Sequence, residues 1–346
     1  MTAPSLSVAD FIQASRHQLI IDVRAPIEFF KGHIPHAINI PLFDDLERAE
    51  VGTIFKQKGK EVAISRGKEI VSPKIEKFIE QVNQLSKNKQ VFVYCFRGGM
   101  RSNSFAWLLN SVGLQAVVLN GGYKAFRNYV LNYFNQSFPL VLLGGKTGCG
   151  KTDILKQLAQ QHIQTVDLEC HAHHKGSAFG TINQKAQNPQ QVFEHHVFWQ
   201  MYWLKQTEPT LIEDESQTIG FNKIPFGLWQ NMKAAPIIKI EVPFEARVHK
   251  LVEEYGNVEP EVLKKSVLKI SQQLGTLNTK KCLEWIDNDC LHDVAKMALT
   301  YYDKTYEFNY HKKQQKMIAL HCDDTNAVTN AQKVKQIFQT LSHHVG

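Results

Sequence analysis

No apolar run in the 346 residues approaches the ~18–20 needed to cross a bilayer, so no membrane-spanning helix is expected. The opening MTAPSLSVADFIQ lacks the basic start and apolar stretch of an export signal, and a cytoplasmic location is the expectation. Cysteine is sparse: six residues, at 95, 149, 170, 282, 290 and 322, with no CxxC pair. That excludes a disulfide framework and predicts reduced thiols, one of them a candidate nucleophile. His171, His173 and His174 cluster beside Cys170, but no Cys/His quartet has zinc spacing, so no metal site is expected there. The most informative absence is acidic. Between Glu80 and Asp153 there is no Asp or Glu, while eight Lys or Arg fall in that stretch. A long acid-free segment favours anionic partners such as phosphate, a thio- or selenophosphate, or nucleic acid.

What is present is an ordinary globular composition, 43% hydrophobic and 21% charged, long enough for two domains. Residues 1–137 hold 17 basic and 11 acidic residues, and the remainder is nearly balanced. Strand-like runs at 17–24, 90–95 and 114–122 alternate with helical spacing at 73–86 and 101–112, which implies a mostly parallel α/β sheet. A second α/β unit starts at PLVLLGG (139–145), with a hinge at 126–139 and further strands at 210–216 and 236–243. After residue 244 the pattern is helical, with helices near 244–256, 260–274, 279–288, 291–302 and 327–342.

Two loops in the acid-free segment carry chemistry. Cys95 ends a β-run and is followed by Phe96-Arg97-Gly98-Gly99-Met100-Arg101-Ser102 and a helix. Inward backbone N–H groups and a helix N-terminus stabilise anions and thiolates, and Arg97 and Arg101 add full charge. Gly145-Lys146-Thr147-Gly148-Cys149-Gly150-Lys151-Thr152 matches GxxxxGK[ST] between an apolar strand and a helix. There Gly145, Gly148 and Gly150 let the backbone approach phosphates. Lys151 meets the terminal phosphate, and the Thr152 hydroxyl suits Mg²⁺. Asp214 after TLIE is the first choice for an acidic or Mg²⁺-linked partner and Asp167 in TVDLE the alternative, with a capped helix or solvated strand end as the plain role of either. Phe193, Phe198, Trp199, Tyr202 and Trp203 follow helical spacing and read first as core, second as an apolar substrate wall. Near the C-terminus aromatics interleave with Lys304, Lys312, Lys313 and Lys316, a pattern suited to nucleic acid, with a helix-capping cluster as the equal alternative; Lys312 and Lys313 are the candidate nucleic-acid contacts.

Residues 8–137 resemble a rhodanese domain. The resemblance rests on Asp22-Val23-Arg24 with Glu28, on Gly32-His33-Ile34-Pro35-His36-Ala37-Ile38-Asn39-Ile40-Pro41, on Cys95–Arg101 and on Gly121-Gly122. His36 stands where glycine is usual. In rhodaneses the cysteine carries a transferable sulfur, or selenium in some relatives. Joined to the phosphate loop, the chain resembles the tRNA 2-selenouridine synthases, with Asp167-Leu168-Glu169, His174–Gly180, Glu213–Ser216, Ile219-Gly220 and Tyr301-Tyr302-Asp303 extending the match. The resemblance implies a rhodanese-like parallel-sheet domain at 1–137, then a P-loop NTPase-like α/β domain with a helical C-terminal part at 138–346. It also implies a transferase that S-geranylates the wobble 2-thiouridine of Lys, Glu and Gln tRNAs with geranyl diphosphate, then exchanges the group for selenium from selenophosphate. The implied partners are tRNA and an enzyme that supplies selenophosphate; a monomer is expected. The competing reading is a rhodanese sulfurtransferase fused to an ATP-dependent P-loop kinase or NTPase.

Overall fold

Two five-stranded sheets, each entirely parallel, organise residues 3–345, which the computed structural model describes. In the first, β1 (Ser5–Leu6), β2 (Leu19–Asp22), β3 (Ile38–Asn39), β4 (Gln90–Tyr94) and β5 (Gln115–Leu119) run in the order β1-β5-β4-β2-β3. Parallel neighbours need crossovers. These are supplied by α1 (Val8–Ala14), α2 (Pro26–Lys31), α3 (Asp45–Lys58), α4 (Lys60–Val71), α5 (Ile75–Leu85) and α6 (Met100–Ser111), and α7 (Gly122–Tyr133) follows the last strand. Strand β4 is central, and Val91, Phe92, Val93 and Tyr94 are wholly buried on both faces. It therefore reads as a continuous apolar run rather than an alternation.

The second sheet holds β6 (Leu140–Gly145), β7 (Thr165–Val166), β8 (Thr210–Glu213), β11 (Ile237–Glu241) and β12 (Met317–His321) in the order β12-β11-β6-β8-β7. A short antiparallel pair, β9 (Thr218–Ile219) and β10 (Asn222–Lys223), stands apart from it. Helices α8 (Lys151–Gln160), α9 (Leu168–Ala172), α10 (Gln190–Tyr202), α11 (Phe226–Ala234) and α12 (Phe244–Tyr255) are followed by α13 (Pro260–Lys269), α14 (Ser271–Leu274), α15 (Thr276–Asp287), α16 (Leu291–Lys312) and α17 (Ala327–Val345). Helix α17 packs on α8 and the sheet through Ala331, Val334, Phe338 and Leu341. Leu263, Val267, Ile270, Cys282, Ile286, Val294 and Ala298 form a separate helical core. Among the described residues no helix is long and apolar enough to cross a membrane.

The α/β class is as expected, and three local features differ from the sequence reading. Met317–His321 forms a parallel edge strand beside β11 within a stretch read as helical. Helix α16 continues to Lys312, ten residues past its expected end at 302. The pair α3–α4 went unread because α3 buries none of its residues and shows no apolar stripe. The chain also forms two compact units whose division is not a single cut: Pro189–His196 groups with the unit that runs up to Tyr133. The sequence boundary placed that segment in the second domain. Inside the first unit, His195 Nδ1 meets the His33 carbonyl at 2.8 Å, Tyr123 hydrogen-bonds Gln191, and Arg127 pairs with Glu194.

Candidate functional site

The thiol loop is built at the C-terminal end of β4, where parallel sheets place their binding crevices. Cys95 follows the strand and is 3% exposed, and α6 begins five residues later. Its Sγ lies 3.2 Å from Ser102 Oγ in the first turn of α6. Backbone holds the loop: the Tyr123 N–H donates to the Cys95 carbonyl at 2.8 Å and the Lys124 N–H to the Phe96 carbonyl at 3.0 Å. Asn103 Nδ2 donates to the carbonyls of Gly98 and Gly99, both at 3.0 Å. Gly122, at φ +59°, lies so close that a Cβ would collide with the Cys95 carbonyl and the Gly98 amide. That contact explains the closing Gly121-Gly122 turn.

The two loop arginines are not equivalent. Arg101 Nη1 donates to Glu28 Oε2 at 2.9 Å, and Glu28 also accepts the Ala25 N–H and faces Arg48. Burial pushes the Glu28 carboxyl up, but the Arg101 pair outweighs it and holds the group below the usual carboxylate range. Arg101 thus ties the cysteine loop to α2, and its charge is already balanced. Arg97 is exposed with its guanidinium 5.8 Å from the Phe96 ring centroid, and it makes no ion pair among the described residues. Beneath the loop, buried Arg24 grips Asp22 through Nε and Nη2, donates to the Gly32 carbonyl at 2.7 Å and sits 3.8 Å from the Tyr123 ring. His36 takes φ +65°, the conformation that makes glycine usual at that position.

The phosphate loop is built at the end of β6, all six of whose residues are buried. Gly148 and Gly150 have φ +80° and +83°, and a Cβ on Gly145 would come within 2.6 Å of Cys149 Sγ. Cys149 is 1% exposed and burial pushes its thiol up, so it fills space. Lys151 Nζ folds back to within 3.4 Å of the Gly145 carbonyl. Burial works against its charge, but Tyr306, Cys149, Glu215 and Glu169 outweigh burial and hold the ammonium well above the ordinary lysine range. Thr152 follows on the first turn of α8.

Side chains from distant helices brace this loop. The Gly145 N–H donates to Tyr310 Oη at 2.8 Å. Arg247 on α12, 3% exposed, donates from Nη1 to the Thr147 carbonyl at 3.2 Å and grips Asp303 with both Nη atoms at 2.8 and 2.6 Å. Lys146 pairs with Glu307 at 2.8 Å and Asp303 at 3.5 Å. One arginine within an amphipathic helix carries no motif, so the sequence does not mark Arg247, and it marks Asp303 only through Tyr301-Tyr302-Asp303.

The two candidate acids have other duties. Asp167 caps α9, accepting the Cys170 N–H at 2.7 Å. Asp214 lies beside Gly144 at the end of β8, and its carboxylate pairs with Lys313. The carboxylates around Lys151 are instead buried glutamates. Glu169 and Glu215 are each 9% exposed and Glu213 is fully buried. Burial, then repulsion from Glu215, pushes Glu169 up to about 8; burial and Glu169 push Glu213 well above its usual range. Glu213 Oε2 accepts the Glu169 N–H at 3.1 Å, while its Oε1 has no partner among the described residues. Gly176, at φ +65°, passes over the pair, and a Cβ there would lie 2.6 Å from Glu169 Oε1 and 3.1 Å from Glu215 Oε2.

The expected tRNA pair Lys312 and Lys313 does not act as a unit. At the end of α16, Lys312 points outward over the Phe308 ring at 3.8 Å, whereas Lys313 turns inward to Asp214. Phe193 and Phe198 are wholly buried, in line with their first reading as core. His171 Nε2 lies 2.5 Å from Gln200 Oε1, His173 Nδ1 lies 3.0 Å from the Ala186 carbonyl, and His174 Nδ1 accepts the Gly176 N–H at 3.1 Å. No group of three or more His, Cys, Asp or Glu among the described residues could hold a metal ion.

Comparison with known proteins follows the same two-part division. Residues 7–129 match the model of the rhodanese-like domain, and residues 138–337 match the model described as the tRNA 2-selenouridine synthase AAA domain. The chain belongs to the tRNA 2-selenouridine synthase family. The protein of that name from Shewanella frigidimarina is 34% identical over 338 residues, covering 86% of this chain and 90% of the relative. The one from Shewanella woodyi is 33% identical over 345 residues, covering 89% and 92%. The one from Bordetella bronchiseptica is 39% identical over 244 residues, covering 68% of this chain and 65% of the relative. Membership of the selenouridine synthase family thus extends over both the thiol loop and the phosphate loop.

Proposed function

We propose that the chain converts 2-thiouridine in tRNA to 2-selenouridine in two steps, through an S-geranyl intermediate. The observation that carries this reading is that one chain of the family holds two anion cradles of different chemistry, one ending at a thiol and the other at a lysine. In the first step the thiocarbonyl sulfur attacks C1 of geranyl diphosphate. The C–O bond breaks, diphosphate leaves into the loop around Lys151, and the base loses its N3 proton. Backbone N–H groups and the Lys151 ammonium stabilise the leaving charge. In the second step selenium from selenophosphate displaces geranylthiol at C2, and water converts the remaining phosphoryl group to phosphate. Alkylation makes the sulfur a leaving group, and Cys95 supplies the soft thiol that handles selenium, with Arg97 as its available cation.

Mg²⁺ fits the phosphate loop as a hard cation held by substrate phosphates and few protein oxygens. The Thr152 hydroxyl and Oε1 of buried Glu213, which has no partner among the described residues, are the oxygens that would hold it. When bound, it would neutralise diphosphate charge.

The test is mass analysis of nucleosides from thiouridine-bearing tRNA after incubation with geranyl diphosphate and then selenophosphate. The expected result is S-geranyl-2-thiouridine after the first reagent and 2-selenouridine after the second. ATP turnover independent of tRNA, with neither nucleoside formed, supports the sulfurtransferase–kinase reading instead.

A further inference from the structure

An apolar cleft opens beside the phosphate loop, with about 50 Å³ of enclosed space and about 520 Å³ of empty space counting its open mouth. Thr147 of the loop forms part of its wall. Most of the rest comes from Leu251 and Val252 on α12, Leu263 on α13, and Val294, Ala295 and Ala298 on α16. The polar side chains on the lining are hydroxyls only: Thr147, Ser177, Tyr255 and Tyr302. Tyr302 Oη already accepts the Ala178 N–H at 3.0 Å. With no charge and no amide on the lining side chains, nothing there reads a nucleobase edge or balances a further phosphate. A ligand that fills loop and cavity together is charged at one end and hydrocarbon at the other.

We infer that this cavity seats the tail of an allylic prenyl diphosphate and that α16 sets the tail length accepted. The inference rests on reading the phosphate loop as a diphosphate cradle. Tyr306 on α16 hydrogen-bonds Thr147, which fixes where the helix meets the loop. Toward the helix N-terminus, Tyr302, Ala298 and Val294 follow on the same face at four-residue intervals, and Leu291 lies three residues beyond. Each four-residue step carries the wall about 6 Å farther along the cavity, close to the reach of one isoprene unit. Ala295 and Ala298 keep the middle open, where branched residues would fill it. Leu291 stands at the far end.

The test is the rate of tRNA thiouridine alkylation with the five-, ten- and fifteen-carbon prenyl diphosphates. It uses the full chain, its Ala298→Leu and Leu291→Ala variants, and Ala298→Val as the milder filler. Inhibition by inorganic diphosphate reports the phosphate end separately. A hydrocarbon group gained or lost in an apolar pocket changes kcat/KM by about tenfold or more. Ala298→Leu is expected to lower the ten-to-five-carbon ratio of kcat/KM at least about tenfold, with Ala298→Val shifting it the same way by less. Leu291→Ala is expected to raise the fifteen-to-ten-carbon ratio, with inhibition by diphosphate unchanged in all three. Unchanged ratios in variants that still bind diphosphate overturn the tail seat while leaving the diphosphate reading standing. An unsubstituted protein that alkylates with none of the three overturns both.

Discussion

The thiol loop and the phosphate loop each follow a buried strand of a parallel sheet, yet they are braced in different ways. Around Cys95 the backbone carries most of the brace, through amides of α7 and the close approach of Gly122, with the Asn103 and Arg101 side chains added to it. Side chains from α12 and α16 hold the phosphate loop: Arg247, Asp303 and Tyr310. A backbone brace fails through added volume, and a side-chain brace fails through lost charge. The two cradles are therefore separable by mutation.

The widest separation comes from the reacting groups themselves. Cys95→Ser is expected to abolish 2-selenouridine while geranylation continues, so that S-geranyl-2-thiouridine accumulates in cellular tRNA digests. Lys151→Ala is expected to cost geranyl transfer about 1.5–3 kcal/mol, or roughly ten- to hundredfold, and to lower 2-selenouridine with it, while selenation of tRNA that already carries S-geranyl-2-thiouridine continues. Loss of geranylation in Cys95→Ser, or loss of selenation of pre-geranylated tRNA in Lys151→Ala, merges the two cradles into one site.

Next come the braces. Gly122→Ala forces a methyl into the Cys95 carbonyl at a left-handed φ, an expected loss of about 2–4 kcal/mol in denaturant unfolding with selenation failing first. Arg247→Ala leaves half-buried Asp303 with Lys146 alone and frees the Thr147 carbonyl, an expected loss of about 1.5–3 kcal/mol, with geranyl transfer failing first. If Gly122→Ala harmed geranyl transfer before selenation, the contrast between the braces would be lost.

The two C-terminal lysines sharpen the division further. Lys312→Ala is expected to reduce the slope of log tRNA affinity against log salt by about 0.7–0.9, since one phosphate contact goes. Lys313→Ala is expected to leave that slope alone and to lower geranyl transfer, because Asp214 beside the phosphate loop loses its ion pair.

Acidity gives a smaller signal confined to the second unit. Glu169 holds its proton up to about 8 when folded, through burial and Glu215. The folded state therefore binds more protons than the unfolded chain, and stability should fall as pH rises from the ordinary carboxylate range to about 8. Glu169→Gln is expected to flatten that fall in denaturant titrations. An unaltered pH slope in the variant removes Glu169 from the titrating group. The mildest change is His36→Gly, which relieves a left-handed φ at the cost of a freer unfolded chain. A gain of about 0.5 kcal/mol is expected, read as a small rise in Tm with both activities intact.

Both loops were legible in the sequence because glycine spacing next to an apolar strand has few other uses. The parallel sheets were legible too, since β4 and β6 are continuous apolar runs. What stayed hidden depends on partners far along the chain. Nothing in Glu169, Glu213 and Glu215 distinguishes buried glutamates from solvated ones until α9, β8 and the Gly176 turn bring them to Lys151. Lys312 and Lys313 read alike, but Lys312 ends α16 facing out, while Lys313, the extended residue after the helix, turns in to Asp214. The strand Met317–His321 is only five residues long and half exposed, so its parallel pairing with β11 gave no strong period.

The grouping of Pro189–His196 with the first unit bears on how the protein is made. A ribosome releases the N-terminal region first, and domains commonly fold in that order as they emerge. Here the carbonyl of His33, the hydroxyl of Tyr123 and the guanidinium of Arg127 wait for His195, Gln191 and Glu194. Those residues are synthesised only after β6, the phosphate loop and α8. The earlier-made unit is thus completed by a later-made segment, and a fragment ended at residue 137 lacks the piece that closes it.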